Sequence, residues 1–282
     1  MSRAQASGNG GSSLEPKPFE LAFSLACFPA AKREAIALNG AAGVRWCEVV
    51  PGIEGLERAV AFGQALKGTS MHVWSLHAPF GGAANIASAD EQVRSGALSI
   101  TRRACDVAAA LGAHVVVVHP GAEPVAEAER AATLARSRDG LAELSRYCAA
   151  LKLRMAVEFL PRTCPGNTAA ELAYLLADLD PGVAGVCLDL NHANLGQDLN
   201  ENVRILGGRI ITLHVSDNDG VDERHWLPGQ GVVDYRGAIE ALYDCGYHGP
   251  FLYESSTDRS GAEVTPEAIR ENYEQVIAPL LR

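Results

Sequence analysis

Nothing in these 282 residues approaches the roughly 20-residue apolar run of a membrane-spanning helix. The opening MSRAQASGNGGSSLEPKP lacks the apolar centre that a signal peptide carries. The two absences leave a cytoplasmic location as the expectation, with no membrane partner. There is no C-x-x-C pair either. The seven cysteines are odd in number and scattered, which indicates neither a disulfide framework nor a thiolate metal site. Basic residues are in deficit, 24 Lys and Arg against 34 Asp and Glu, for a net charge of −10. A polyanion is bound by clustered cations that displace its counterions, so nucleic acid is disfavoured as a partner and small-molecule chemistry is favoured.

What is present is a hydrophobic chain, 48% by residue, long enough to bury a large core. Residues 1–17 are rich in Gly, Ser and Pro with nothing to bury and are expected to be a disordered tail, leaving 18–282 for the fold. Eight short Val/Ile/Leu-rich runs then alternate with segments of helical period. They are LAFSLACF (21–28), RWCEVV (45–50), MHVWSLHA (71–78), HVVVVH (114–119), RMAVEF (154–159), VAGVCLDL (183–190), RIITLHVS (209–216) and PFLYES (250–255). Helix starts are expected at a Ser88-x-x-Glu91 capping box, at Thr168-x-x-Glu171 and at Thr265-Pro266. Near-continuous apolar strands covered by helices imply a parallel sheet, and eight βα units point to a single α/β domain, a closed (β/α)₈ TIM barrel. A doubly wound open sheet is the second choice, but no glycine-rich dinucleotide fingerprint follows the first strand.

The ends of those strands carry the chemistry. His77, His119, Glu158, Asp189, His214 and Glu254 close successive runs, with Glu48 at the end of the second, His192 just past the sixth and His225 on the loop after the seventh. Strand C-termini of such a barrel share one mouth, where active sites sit. Carboxylates ending apolar strands are costly unless paired or metal-bound. Glu158, Asp189, His214 and Glu254 are therefore the expected ligands of a divalent metal, and carboxylates with one imidazole suit Mn, Mg, Co or Zn. His77, His119, His192 and His225 are expected to bind a second metal, contact substrate or orient a ligand. Arg224 is a candidate for holding a substrate oxygen or phosphate, Phe80 and Trp226 for apolar walls, and Glu48 for substrate contact or pairing with Arg45. His72, His114 and His248 fall near strand beginnings, at the opposite end, and are read as structural.

These motifs, LHAPFGGAANIAS, VVVHPG, VEFLP, CLDLNHAN, LHVSDNDG, ERHWLPGQGVVDY and YES, together resemble the xylose isomerase-like TIM-barrel superfamily. That superfamily includes sugar phosphate isomerases and epimerases and the endonuclease IV DNA-repair enzymes. In the ketose epimerase branch, the resemblance implies one divalent metal on Glu158, Asp189, His214 and Glu254, with the two glutamates as acid and base. The expected reaction is isomerisation or epimerisation of a sugar, sugar phosphate or related polyol by proton transfer through an enediolate. The alternative is an endonuclease IV-like zinc phosphodiesterase acting on abasic DNA. That branch implies three zinc ions on His77, His119, Glu158, Asp189, His192, His214, His225 and Glu254, with Glu223 where that family has aspartate. Against it stands Ser216-Asp217-Asn218-Asp219, where that family has an Asn-Asp-Ser-Lys motif. Barrels of this sort often pair, so a homodimer is among the expected forms.

Overall fold

Each of the eight apolar runs forms a strand, and the helical segments fall between them. The computed structural model describes residues 14–39 and 41–282. Positions 1–13 of the expected tail lie outside the described residues. Just after them, Glu15 places a carboxylate oxygen 3.3 Å from His114 Nδ1. The strands are β1 (Leu21–Ser24), β2 (Trp46–Val49), β3 (His72–His77), β4 (Val115–Val118), β5 (Arg154–Glu158), β6 (Ala184–Asp189), β7 (Ile210–His214) and β8 (Phe251–Tyr253). All paired neighbours run parallel, in the order β7-β6-β5-β4-β3-β2-β1-β8. The ring closes just beyond β7, where Val215 N donates to Leu252 O at 2.9 Å and accepts Glu254 N on its carbonyl at 2.8 Å.

The helices are α1 (Arg33–Leu38), α2 (Gly52–Leu66), α3 (Glu91–Leu111), α4 (Glu127–Ala150), α5 (Ala169–Leu176), α6 (Leu190–Asn194), α7 (Leu199–Leu206), α8 (Tyr235–Asp244) and α9 (Pro266–Asn272). None of the described helices is long and apolar enough to cross a membrane. Thr168 and Thr265 cap α5 and α9 as expected, accepting from Glu171 N and Ala268 N, each at 3.2 Å. The start of α3 differs. Its cap is Asp90, which accepts from Gln92 N at 2.8 Å and Val93 N at 3.3 Å, while Ser88 Oγ accepts from Asp90 N. A charged oxygen two residues on outcompetes the Ser88 hydroxyl for the positive end of the helix.

Two apolar layers hold the barrel. Outward strand residues pack under the helices, and Ala22, Trp46, Trp74, Val115, Val117, Ala156, Cys187, Ile211 and Leu252 fill the interior. Side chains alternate across a strand, so two residues beyond an interior position comes another inward one. This rule places Glu48 above Trp46, His119 above Val117, Glu158 above Ala156, Asp189 above Cys187 and Glu254 above Leu252.

His77 and His214 break the rule, because each lies three residues beyond its interior neighbour, Trp74 and Ile211. The register explains both. Partners step from Cys47–Val73 to Glu48–Ser75 and from Val186–Ile210 to Cys187–Thr212, leaving one extra residue in β3 and one in β7. A bulge shifts the parity of everything after it. The shifted segments meet inside the barrel, where Trp74 Nε1 donates to Thr212 Oγ1 at 2.9 Å.

Candidate metal centre

Glu158, at the end of β5, is the hub of the mouth and is almost fully buried. Its Oε2 lies 3.0 Å from His77 Nε2 and 2.8 Å from His119 Nε2; its Oε1 lies 3.1 Å from His214 Nδ1. The same His214 nitrogen is 3.1 Å from Glu254 Oε2. Its other nitrogen, Nε2, sits 3.2 Å from Glu48 Oε2, which also accepts from Ser75 Oγ at 2.9 Å. Glu48 is thus a buried group that orients His214 rather than a partner for Arg45, which pairs with Glu20.

Asp189 ends β6 and caps α6, taking His192 N on Oδ1 at 3.0 Å. The cap fixes the carboxylate and leaves Oδ2 buried without a hydrogen-bond partner. One turn on, His192 presents Nδ1 to the Phe159 carbonyl at 3.1 Å and approaches Glu223 Oε2 with Nε2 at 2.7 Å. That contact is a close pairing of a buried imidazole with a half-buried carboxylate. His225 adopts a left-handed backbone (φ 49°), uncommon for a residue with a Cβ. Its Nδ1 lies 3.1 Å from the Glu254 carbonyl and 3.3 Å from Ser216 Oγ, and its own carbonyl accepts from Ser256 N at 3.0 Å.

Three donor sets result, each with ligand atoms within 4.8 Å of one another: Glu158, Asp189, His214 and Glu254; His77, His119 and Glu158; and His192, Glu223 and His225. Glu158 belongs to two of them. The electrostatics agree with a site that demands positive charge. Burial works against a proton on His77 and on His192, yet Glu158 lifts the first to about 9, and Asp189 with Glu223 lifts the second to about 9. His214 is likewise raised, against burial, by Cys187 and by the carboxylates of Glu254, Glu48 and Glu158. For Glu158 and Glu254 burial is outweighed by the imidazoles, and Glu254 falls to about 2. Burial does prevail at two groups, holding His119 below its ordinary value and Asp189 above.

Glu158, Asp189, His214 and Glu254 have the chemistry of a divalent-ion site: three carboxylates and one imidazole, buried except for the partly exposed Glu254, with Asp189 Oδ2 making no hydrogen bond and facing only His192 Nδ1 at 3.2 Å. Beside it a cavity of about 360 Å³ opens to solvent, lined in part by Phe80, Glu123, Arg162 and Cys164 together with the mouth histidines.

Most sequence candidates meet at this mouth, and two do not. Arg224 is exposed, donates from Nε to Asp219 at 2.8 Å, and is outside the cavity lining. Trp226 lies under the Arg259 guanidinium, 5.6 Å from ring centroid to carbon, also outside the lining. Sequence reasoning missed Arg162, which looks like any loop arginine but lines the cavity. It missed Asp217 as well. That buried carboxylate accepts from Asn218 N, Gly229 N, Gly231 N and Val233 N at 2.8–3.1 Å and so ties down the loop carrying Glu223 and His225. The glycines at 229 and 231 approach this carboxylate and not a ligand: a Cβ on Gly231 would meet Asn218 O at 2.0 Å.

Comparison with known proteins agrees with this architecture. The sequence model of the xylose isomerase-like TIM barrel matches residues 36–276. An uncharacterised protein of Methanocaldococcus jannaschii is 29% identical over 207 residues, 71% of this chain and 70% of that protein. The L-ribulose-5-phosphate 3-epimerase UlaE of Salmonella typhi is 26% identical over 187 residues, and the chain spans 64% of its length. A crystal structure of a D-tagatose 3-epimerase-like protein superposes with a TM-score of 0.78 at 25% identity, covering 91% of this chain and 95% of that one. A D-psicose 3-epimerase crystallised with D-fructose shares the fold, with a TM-score of 0.76 at 18% identity over 91% and 97% of the two chains. With strands, mouth and sequence all in agreement, the chain belongs to the xylose isomerase-like TIM barrel family.

Proposed function

We propose that this protein is a divalent-metal-dependent isomerase or epimerase of a sugar or related polyol, working by proton transfer through an enediolate. The observation that carries the reading is the pair Glu158 and Glu254, each 3.1 Å from the same His214 nitrogen and each in the donor set with Asp189. Glu158, Asp189, His214 and Glu254 would hold the ion. Bound there, it supplies Lewis acidity, polarising a ketose carbonyl and acidifying the neighbouring C–H. Glu158 and Glu254 come from β5 and β8, with β6 and β7 between them, and so flank whatever is held at the centre. One carboxylate would remove the proton, and the other, starting with a proton of its own, would deliver that one to the opposite face of the same carbon or to the next carbon, leaving the two groups with their protonation states exchanged. Glu48 keeps His214 turned toward the pair. The relatives and neighbours described as ketose 3-epimerases support this chemistry.

The three donor sets are the one observation on the side of a zinc phosphodiesterase. Against it stand the net charge of −10 and a cavity lining with a single arginine. Turnover of a ketose in deuterated water tests the proposal: the product should carry deuterium at the carbon deprotonated. Cleavage of abasic duplex DNA without any ketose turnover would overturn it.

A further inference from the structure

The cavity beside the donor sets carries its own statement about the substrate. Four carboxylates line it, Glu123, Glu158, Glu223 and Glu254, together with four histidines, of which His77, His119 and His192 already face Glu158 or Glu223, and one guanidinium, Arg162. A phosphate group is recognised by cations or backbone N–H groups free to donate to it, and Arg is the side chain best suited to do so.

Arg162 is already committed. Its Nε and Nη2 donate to Glu123 Oε1 at 2.9 and 2.6 Å, and its Nη1 donates to Glu223 Oε1 at 2.6 Å. Three of its five N–H groups therefore end on carboxylates that would also repel an incoming dianion. The lock spans three loops: Glu123 follows β4, Arg162 follows β5 and Glu223 follows β7. Arg162 also holds a left-handed backbone (φ 52°), and its carbonyl accepts from Asn167 Nδ2, so the loop itself is tied down.

Across the mouth the lining changes character. Phe80 is 55% exposed, lines the cavity and stacks on His119 with ring centroids 4.6 Å apart. An exposed aromatic face packs against the C–H side of a polyhydroxylated chain, while carboxylates accept its hydroxyl protons. From the locked arginine, the acidic lining and the aromatic wall we infer that this site selects an uncharged polyhydroxy ketone over its phosphate ester. The inference rests on the isomerase or epimerase reading and names its substrate class.

Calorimetric binding to the Mn²⁺-loaded protein tests it, with four- to six-carbon polyols, their terminal phosphate esters and inorganic phosphate as probes. The best polyol should bind at least about tenfold more tightly than its ester, and millimolar phosphate should not displace it. Glu123→Gln removes one repelling charge and releases one edge of Arg162. It should shift the ester-to-polyol affinity ratio toward the ester by about tenfold, the scale of one charge-assisted hydrogen bond. An ester that binds more tightly than its polyol, or phosphate that competes, would overturn the selection and leave the isomerase reading standing. An unchanged ratio in Glu123→Gln would overturn the locked arginine as its cause. If neither polyol nor ester binds the loaded protein, the proposed function itself fails.

Discussion

Histidines gather at both ends of this barrel, and the two ends use them differently. At the mouth, His77, His119, His192 and His214 all lie within about 3.2 Å of carboxylate oxygens. At the other end, His114 stacks on Trp74 with centroids 5.2 Å apart, and His72 leans on Trp46 at 5.3 Å. There the carboxylates, such as Glu15 beside His114, come from the partly exposed rim and not from strand ends. The residue type is the same, and the neighbours decide its role. Imidazoles among buried carboxylates have somewhere to deliver or share positive charge; the imidazoles at the other end, the floor, pack against indole rings beside a second cavity that Trp46, His72 and His114 help to line.

Substitutions and metal removal can break that contrast. Stripping divalent ions with a chelator should abolish ketose turnover and lower the melting temperature. For an ion present at a hundred times its Kd, the loss is about 2.7 kcal/mol, or roughly 5–10 °C for a chain of this size. Differential scanning calorimetry with and without Mn²⁺ reads it, and an unchanged transition would count against a site. Glu158→Gln and Glu254→Gln should each cut turnover by about 10²–10⁴-fold, the usual span for a general acid or base. Progress curves on the preferred ketose measure it. A loss under tenfold for both would remove them from proton transfer.

Smaller effects probe what carries the mouth residues. Gly231→Ala pushes a methyl into the Asn218 carbonyl, so the loop bearing Glu223 and His225 must move. Turnover or ligand affinity should fall about tenfold, with far-UV circular dichroism unchanged. Trp74→Phe deletes the hydrogen bond to Thr212 that joins the two bulges. It should cost about 1–3 kcal/mol in urea unfolding. His72→Ala, at the floor, is the control: about 0.5–1.5 kcal/mol of stability, with turnover and metal content at the parent values.

The barrel was legible because its strands are apolar on both faces and its helices are polar on one. All eight strand segments could be read from the runs. So could the convergence of Glu158, Asp189 and Glu254, because ordinary alternation turns them inward. For His77 and His214 the sequence is a poorer guide: each lies at a strand end, yet only an extra residue in β3 and in β7 brings it to the interior. A bulge is a property of two strands together and leaves no mark in either one alone. Asp90 in place of Ser88 as a helix cap is a competition between neighbours of similar propensity. Arg162 and Asp217 escaped notice for a shared reason: apart from Asn218 beside Asp217, the partners that fix their carboxylate and guanidinium contacts are 12 to 61 residues away and are brought close only by the folded loops.

On the proposed reading a divalent ion sits at the mouth and not at the floor. Titrating chelator-stripped protein with Mn²⁺ by calorimetry tests it most directly, with Asp189→Asn and the double variant His72→Ala/His114→Ala alongside the parent. Saturable binding of at least one ion per chain is expected in the parent and the floor variant, weakened at least about tenfold in Asp189→Asn. Absence of saturable binding in the parent, or binding lost with the floor histidines and retained in Asp189→Asn, would contradict it.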